Sequence, residues 1–369
     1  MRRTTADVMR VLFAKREFKP HSPSKAPCSF QFSKSQLFRN DELGAMIGPM
    51  NTDSTNKRQL SRRELNTQFA AFSLLLPAAN CALANTVRAE VNSTVRQVKF
   101  PDGTAVPALG QGSWHLGQGR HPADIEEEAL RTGLSLGMTL IDTSGNYGDG
   151  QSERLISHVI AGRRDRVFLV SKVEADQVTG DEMARACEAS LARLGTNYLD
   201  LYLLHWPVSD SQFSEVVAGF ERLRGAGKIR AWGVSNFNVR QMEDLFKVTD
   251  GERCATNQVG YSLSDRGIER DLLPWCEEHR VPVMAYSPLG GDSGTLVHDS
   301  TLARISTAHD CSAAAIALAW TIRSGKVIAI PESGSVVHVK ENAVALSTAL
   351  TPEELHTLDA AFPGPGGEK

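Results

Sequence analysis

The sequence predicts an α/β protein, a (β/α)8 TIM barrel with an N-terminal hairpin as a cap and a C-terminal helix that closes it. Three observations carry this. Eight short apolar runs recur along residues 98–363. Helical patterns separate most of them, and strands that alternate with helices pair in parallel. The stretch also has the size usual for such a barrel, roughly 250 residues.

The hairpin comes first. VKFPDGTAVPAL, residues 98–109, reads as two short strands joined at Asp102-Gly103, a dipeptide suited to tight hairpin turns. Barrel strands are then expected near 109–113, 139–142, 167–172, 199–205, 231–235, 256–259, 283–286 and 327–330. Helices are expected over 122–136, 181–194, 215–225, 239–246, 269–279 and 302–309, with a further one at 313–323. The closing helix falls at 350–361, where Thr351 can cap ahead of Pro352, Glu353 and Glu354. A doubly wound sheet would alternate in the same way, but its nucleotide fingerprint is missing. Gly110 and Gly112 begin a G-x-G after the first barrel strand, and His115 stands where the third glycine belongs.

Composition narrows the classes. The chain has 369 residues and a formal net charge of −3. That balance gives no reason to expect nucleic acid, and no 18-residue apolar run predicts a mature membrane span. The six cysteines, Cys28, Cys81, Cys187, Cys254, Cys276 and Cys311, stand singly, so no zinc or redox pair is expected. They read as free thiols.

The first part of the chain differs from the rest. Residues 1–49 are polar, basic and Ser-rich without a period, and read as disordered or as sequence upstream of the true start. Met50 is a second potential initiator. Residues 50–84 contain Ser61-Arg62-Arg63, then the apolar FAAFSLLLPAANCALA, which ends in Ala82-Leu83-Ala84. The layout resembles a twin-arginine export signal cut after Ala84. It predicts a periplasmic protein with the twin-arginine export machinery as a partner. The alternative is an amphipathic N-terminal helix on a cytoplasmic protein. Residues 85–97 read as a linker and 364–369 as a tail.

The chemistry gathers at one stretch, IDTSGNYGDGQSE, residues 141–153. A buried strand stops at Asp142 and a Gly-rich turn follows, which can bring Tyr147 back over the strand mouth. Two later strands end in the same manner, at Lys172 and at His205. Asp142, Ser144, Asn146 and Glu153 also occupy positions one, three, five and twelve of an EF-hand-like loop. Its sixth position, where the sharp turn needs Gly, is Tyr147.

DTSGNYGDGQSE, LVSK, LYLLHWP and GVSNF together resemble the aldo-keto reductase family, from about Val98 to Pro363, and most closely its bacterial small-aldehyde reductases. The resemblance implies a nicotinamide nucleotide bound without a Rossmann motif, and a catalytic group of Asp142, Tyr147, Lys172 and His205 that needs no metal. Tyr147 would give a proton to the carbonyl oxygen. The Lys172 ammonium would lower the phenol from its usual value near 10, and Asp142 would keep Lys172 charged. His205 would orient the carbonyl or relay the proton. Ser113, Ser235, Asn236 and Gln258 match the groups on the nicotinamide side, and Tyr286 the ring that stacks on it. Ser287 and Leu289 match the pyrophosphate side. Trp114, Trp206 and His205 would wall the substrate. The acidic residues after Lys172, Glu174 and Asp176, read as solvated loop charge.

The last strand departs from the family. Many members carry Lys after its Pro and Arg six residues later, both on the adenosine 2′-phosphate. Here these are Glu332 and His338; Ser333 and Lys340 can partly compensate, and Glu341 and Asn342 match the family's adenine contacts. A carboxylate repels a phosphate and can accept from a free 2′-hydroxyl. The expected cofactor is therefore NADP(H), with NAD(H) also accepted. The expected activity is reduction of small carbonyls or dicarbonyls to alcohols. The alternatives are a sugar or alcohol dehydrogenase, and a nucleotide-binding barrel that acts as a sensor or partner subunit.

Overall fold

The computed structural model describes residues 96–291 and 294–366. The twin-arginine-like segment, Cys28 and Cys81 lie outside them. The hairpin forms as expected: β1 (Gln97–Lys99) pairs antiparallel with β2 (Ala105–Pro107). Gly103 takes φ 88°, and the Asp102 carboxylate accepts from the Thr104 N–H at 2.8 Å. Phe100 stacks on Phe168 at the start of the second strand of the barrel sheet. The hairpin therefore covers the end of the barrel at which the strands begin.

Seven parallel strands follow in chain order: β3 (Leu140–Asp142), β4 (Phe168–Val173), β5 (Leu199–Leu204), β6 (Ile229–Ser235), β7 (Asn257–Gly260), β8 (Val283–Tyr286) and β9 (Val327–Ala329). The expected first barrel strand, 109–113, is not a continuous ladder. It makes single bridges, Leu109 to Ala329 and Gln111 to Ile141, and through them it joins β9 to β3 and closes the cylinder. Its contacts alternate between the two neighbours: Gly110 N–H donates to Ala329 O, and Gln111 N–H to Leu140 O. Gly110 permits this close passage, because a Cβ there would lie 2.7 Å from Leu140 Cδ2.

Side chains alternate along each strand, so a barrel has two cores. Leu109, Leu140, Val170, Leu201, Met284 and Ile328 pack in one cluster with the hairpin residues Val98, Phe100 and Val106. Ile141, Leu169, Tyr202 and Trp232 belong to the other, where the outer helices pack. A one-residue slip of a strand would exchange the two sets, so the register is strongly specified.

The outer layer is α1 (Ala123–Ser135), α2 (Gln151–Ile160), α3 (Glu182–Leu194), α4 (Phe213–Gly225), α5 (Val239–Phe246), α6 (Leu272–Glu278), α7 (Ser300–Ala308), α8 (Ala313–Thr321), α9 (Val336–Ala343) and α10 (Pro352–Ala361). Two of these, α2 and α9, were not expected. α2 starts after Gly150, in the left-handed region at φ 78°, and buries Leu155, Ile156, Val159 and Ile160 on one face. The segment expected as one helix over 269–279 splits into a 3-10 turn and α6, with Asp271 capping the second piece. The closing helix α10 has the expected cap: Thr351 accepts from Glu354 N–H, and Glu354 reaches back to Thr351. Among the described residues no helix is long and apolar enough to cross a membrane. Cys187, Cys254 and Cys276 are buried free thiols, each pushed up to about 12 by burial.

Candidate active site

β3 ends at Asp142, and the next turn folds the chain back on itself. Gly148, Asp149 and Gly150 all have positive φ, which tightens the reversal and returns Tyr147 to the strand mouth. Lys172 lies one residue before the end of β4. Its Nζ donates to Asp142 Oδ2 at 2.8 Å, Thr143 O at 2.9 Å and the Tyr147 hydroxyl at 3.0 Å. All three ammonium donors are thereby matched. The other Asp142 oxygen accepts from Gln258 Nε2 at 2.8 Å, so the buried carboxylate is satisfied on both sides. His205 follows β5 directly, and its ring meets that of Tyr147 edge-on at 5.8 Å. The four expected catalytic side chains thus meet at one rim.

Their electrostatics differ from expectation at one point. Burial pushes the Tyr147 phenol up; Lys172 pulls it down, and Asp142 and Glu174 push it up again. The net direction is upward, not toward neutrality. Asp142 offsets the Lys172 charge that the phenol would otherwise feel. Lys172 itself is held above the ordinary lysine range: burial opposes its charge, but Asp142 and Tyr147 outweigh burial.

A second network runs beside this group. Ser235 Oγ donates to Gln258 O at 2.8 Å, Asn236 Nδ2 to Ser235 Oγ at 3.0 Å, and the Tyr286 hydroxyl to Asn236 Oδ1 at 3.0 Å. Asn236 and Ser287 sit at strand ends with φ 64° and 49°. For side chains with a Cβ this region costs about 1–3 kcal/mol, and such strain concentrates at ligand sites. Asn236 therefore holds the Tyr286 ring, and Gln258 holds Asp142. Ser113 donates its hydroxyl to Asp142 O at 2.8 Å.

Asp142, Tyr147, His205, Ser113, Ser235, Asn236, Gln258 and Tyr286 border one cavity of about 730 Å³, together with Trp114, Trp206, Ser287, Leu289 and Glu332. Lys172 lies behind Tyr147, its side chain fully enclosed. Trp114 and Trp206 are 53% and 51% exposed. Ser333, His338, Glu341 and Asn342 do not border the cavity. Ser333 bonds within its own turn, His338 is exposed, and Asn342 is buried in α9. Glu332 points back across the cavity wall: it accepts from the His115 N–H at 2.9 Å and faces His115 Nδ1 at 3.0 Å. The EF-hand alternative fails on geometry, because Glu153 is buried against Ser171 and Arg193.

Three residues of the site carried no sequence signal. His115 and Arg120 border the cavity from the loop after the first barrel segment. Glu174, read as solvated loop charge, places Oε1 at 2.5 Å from His205 Nδ1. Its partner lies on another strand, so no local pattern marks it. The cavity offers a half-buried aromatic ring, amide and hydroxyl groups on one wall, and an acid with an enclosed ammonium on the other. That set suits a flat ring bearing a carboxamide, held beside a small carbonyl.

Comparison with known proteins gives a consistent answer. The Aldo/keto reductase family profile matches residues 108–362. Methylglyoxal reductase YeaE of Escherichia coli is 46% identical over 276 residues, covering 74% of this chain and 97% of that protein. Glyoxal reductase of Bacillus subtilis is 31% identical over 264 residues, covering 71% and 91%. Among solved structures, an aldo/keto reductase from Klebsiella pneumoniae in complex with NADP and acetate is 45% identical, with a TM-score of 0.71 over 74% of this chain and 98% of that one. A second structure from that organism, in complex with NADPH, matches equally well.

Proposed function

Because the chain belongs to the aldo/keto reductase family, we propose that it reduces small 2-oxoaldehydes of the methylglyoxal and glyoxal type at the Asp142, Tyr147, Lys172 and His205 group. It is an NADP(H)-dependent oxidoreductase acting on carbonyl compounds. The observation that carries the residue assignment is the Lys172 ammonium, bonded at once to Asp142 and to the Tyr147 hydroxyl at the cavity rim. When bound, the nicotinamide supplies the hydride. Tyr286, held by Asn236, would support the ring, with Ser113, Ser235 and Gln258 on its carboxamide side and Ser287 and Leu289 toward the pyrophosphate. The places of Ser333, His338, Glu341 and Asn342 on the adenosine side rest on motif alone.

The chain's own steps concern one proton. Tyr147 donates to the carbonyl oxygen, and Lys172, kept charged by Asp142, stabilises the phenolate left behind. A phenol pushed up by burial stays protonated at neutral pH. That is the form an acid in reduction requires. The two exposed tryptophans flank the opening and suit a small substrate.

The test is a panel of carbonyls assayed with NADPH and NADH. Methylglyoxal and glyoxal should give the highest kcat/KM with NADPH, well above bulky aromatic aldehydes. Nucleotide binding without turnover of any carbonyl would favour the sensor reading instead. Glu332 should blunt the preference for NADPH, and Glu332→Lys should sharpen it by about tenfold, since one favourable charge contact on a phosphate contributes about 1.4 kcal/mol. A parental NADPH preference of thousands-fold would refute that role for Glu332.

For residues 50–84 we propose export through the twin-arginine route, on the strength of Arg62-Arg63 and the Ala82-Leu83-Ala84 end. N-terminal sequencing of the protein from its native host should begin after Ala84. A chain that retains Arg62 and Arg63 overturns export.

A further inference from the structure

Glu174 lies just beyond β4, two residues after Lys172, and its carboxylate reaches sideways to the end of β5. The Glu174 and His205 side chains are only 24% and 12% exposed, with Oε1 and Nδ1 2.5 Å apart. A carboxylate can only accept, so the proton between them belongs to Nδ1. Nε2 is then the nitrogen left for a ligand in the cavity that His205 borders. In the neutral ring, with its proton on Nδ1, Nε2 carries a lone pair and repels a carbonyl oxygen. It donates only when the ring carries both protons.

We propose that Glu174 is a positioning residue: its carboxylate fixes the His205 ring with a proton on Nδ1 and faces the charge of the doubly protonated ring, so that Nε2–H is the donor that meets the carbonyl oxygen. This deepens the reductase reading and rests on it. Two donors would then converge on the developing alkoxide, the Tyr147 hydroxyl and the His205 Nε2–H. Tyr147 gives up its proton, and His205 keeps both of its own.

The surroundings of the ring make Glu174 decisive. Tyr147, from the turn after β3, meets it edge-on as a neutral phenol. Behind the phenol, Lys172 and Asp142 form a bonded pair whose charges offset. From β6, Asn236 donates an uncharged amide to the His205 backbone oxygen at 3.3 Å. Trp206 stacks at 6.0 Å and brings no charge. Arg120 and the His115–Glu332 pair border the same cavity, and Arg193 and Lys172 lie on the other side of Glu174, but the Glu174 carboxylate is the charge bonded to the ring.

The test compares the parent with Glu174→Gln and Glu174→Leu. The glutamine carbonyl can still accept from Nδ1–H, so it keeps the tautomer and removes the charge; leucine removes both. Two readouts are needed. One is kcat and KM for methylglyoxal across pH 5–9 at saturating NADPH. The other is the ¹⁵N chemical shifts of the His205 ring in protein without nucleotide or substrate, assigned against His205→Gln. In the parent, kcat should fall as the pH rises through the titration seen in the ring shifts. In Glu174→Gln both should move to lower pH, with kcat at neutral pH reduced about tenfold and KM within about twofold. Glu174→Leu should move the proton of the neutral ring onto Nε2, which leaves a neutral donor facing the carbonyl, so its kcat should fall less than that of Glu174→Gln and should no longer drop as the ring loses its charge. Variant pH profiles that superimpose on the parent's overturn the proposal, as does a parental neutral ring protonated on Nε2. If no carbonyl is turned over, the reductase reading has failed, and the ring shifts still decide the state of the Glu174–His205 pair.

Discussion

Tyr147→Phe is expected to lower kcat for carbonyl reduction by about 10²–10⁴-fold, the range that a positioned proton donor contributes. The fold should survive the change. Among the described residues the phenol bonds only to Lys172 Nζ, which keeps Asp142 Oδ2 and Thr143 O as partners. Nucleotide affinity, read by fluorescence titration, should stay within about twofold, because Tyr286 and the Ser235–Asn236–Gln258 wall are untouched. Turnover near the parental rate would remove Tyr147 from the mechanism. The direction of its titration adds a constraint. A phenol raised by burial does not begin to lose its proton below the ordinary phenol range, near 10. A fall in reductive kcat between pH 6 and 9 must therefore report a group other than Tyr147.

Lys172→Met should cost more in stability than any other single change at the site. The ammonium and Asp142 are both buried, and deleting one partner leaves a carboxylate with Gln258 as its remaining side-chain donor. Breaking a buried pair in this way costs about 3–5 kcal/mol, a fall in Tm on the order of 10 °C for a domain of this size. The double variant Asp142→Asn with Lys172→Met removes the stranded charge and should recover most of that loss. It should not recover activity, because nothing would then stabilise the Tyr147 phenolate. Denaturant unfolding of the four chains closes the cycle. A single variant within 1 kcal/mol of the parent, or a double variant less stable than the single one, would show that the pair is not the electrostatic anchor of the site.

The barrel and the rim at which Asp142, Tyr147, Lys172 and His205 meet were legible because each signal was local. Short apolar runs gave the strands, and Asp142, Lys172 and His205 fall where those runs stop. What escaped was non-local or contrary to propensity. α9 opens Val336-Val337-His338-Val339, a β-branched run that disfavours helix. It is helical because Ser335 caps it and because it packs against α1. α2 was hidden by the Gly-rich turn before it, although Leu155, Ile156 and Val159 keep helical spacing. Glu174 was unreadable because its partner is 31 residues away on another strand. The acidity of Tyr147 was misjudged because adjacency to Lys172 can be inferred from motif order, whereas the depth of burial that outweighs it cannot.

The enclosure of Lys172 also protects the enzyme from its own substrates. Reactive aldehydes condense with free amines to form imines, and they would poison a catalyst that offered them one. The Lys172 side chain has no exposed surface, and its Nζ is held in the charged form behind an aromatic ring. An ammonium has no lone pair with which to attack, and the phenol ahead of it shields it from an incoming carbonyl. On the proposed role of Lys172 in proton transfer, the same placement would also keep it from being glycated.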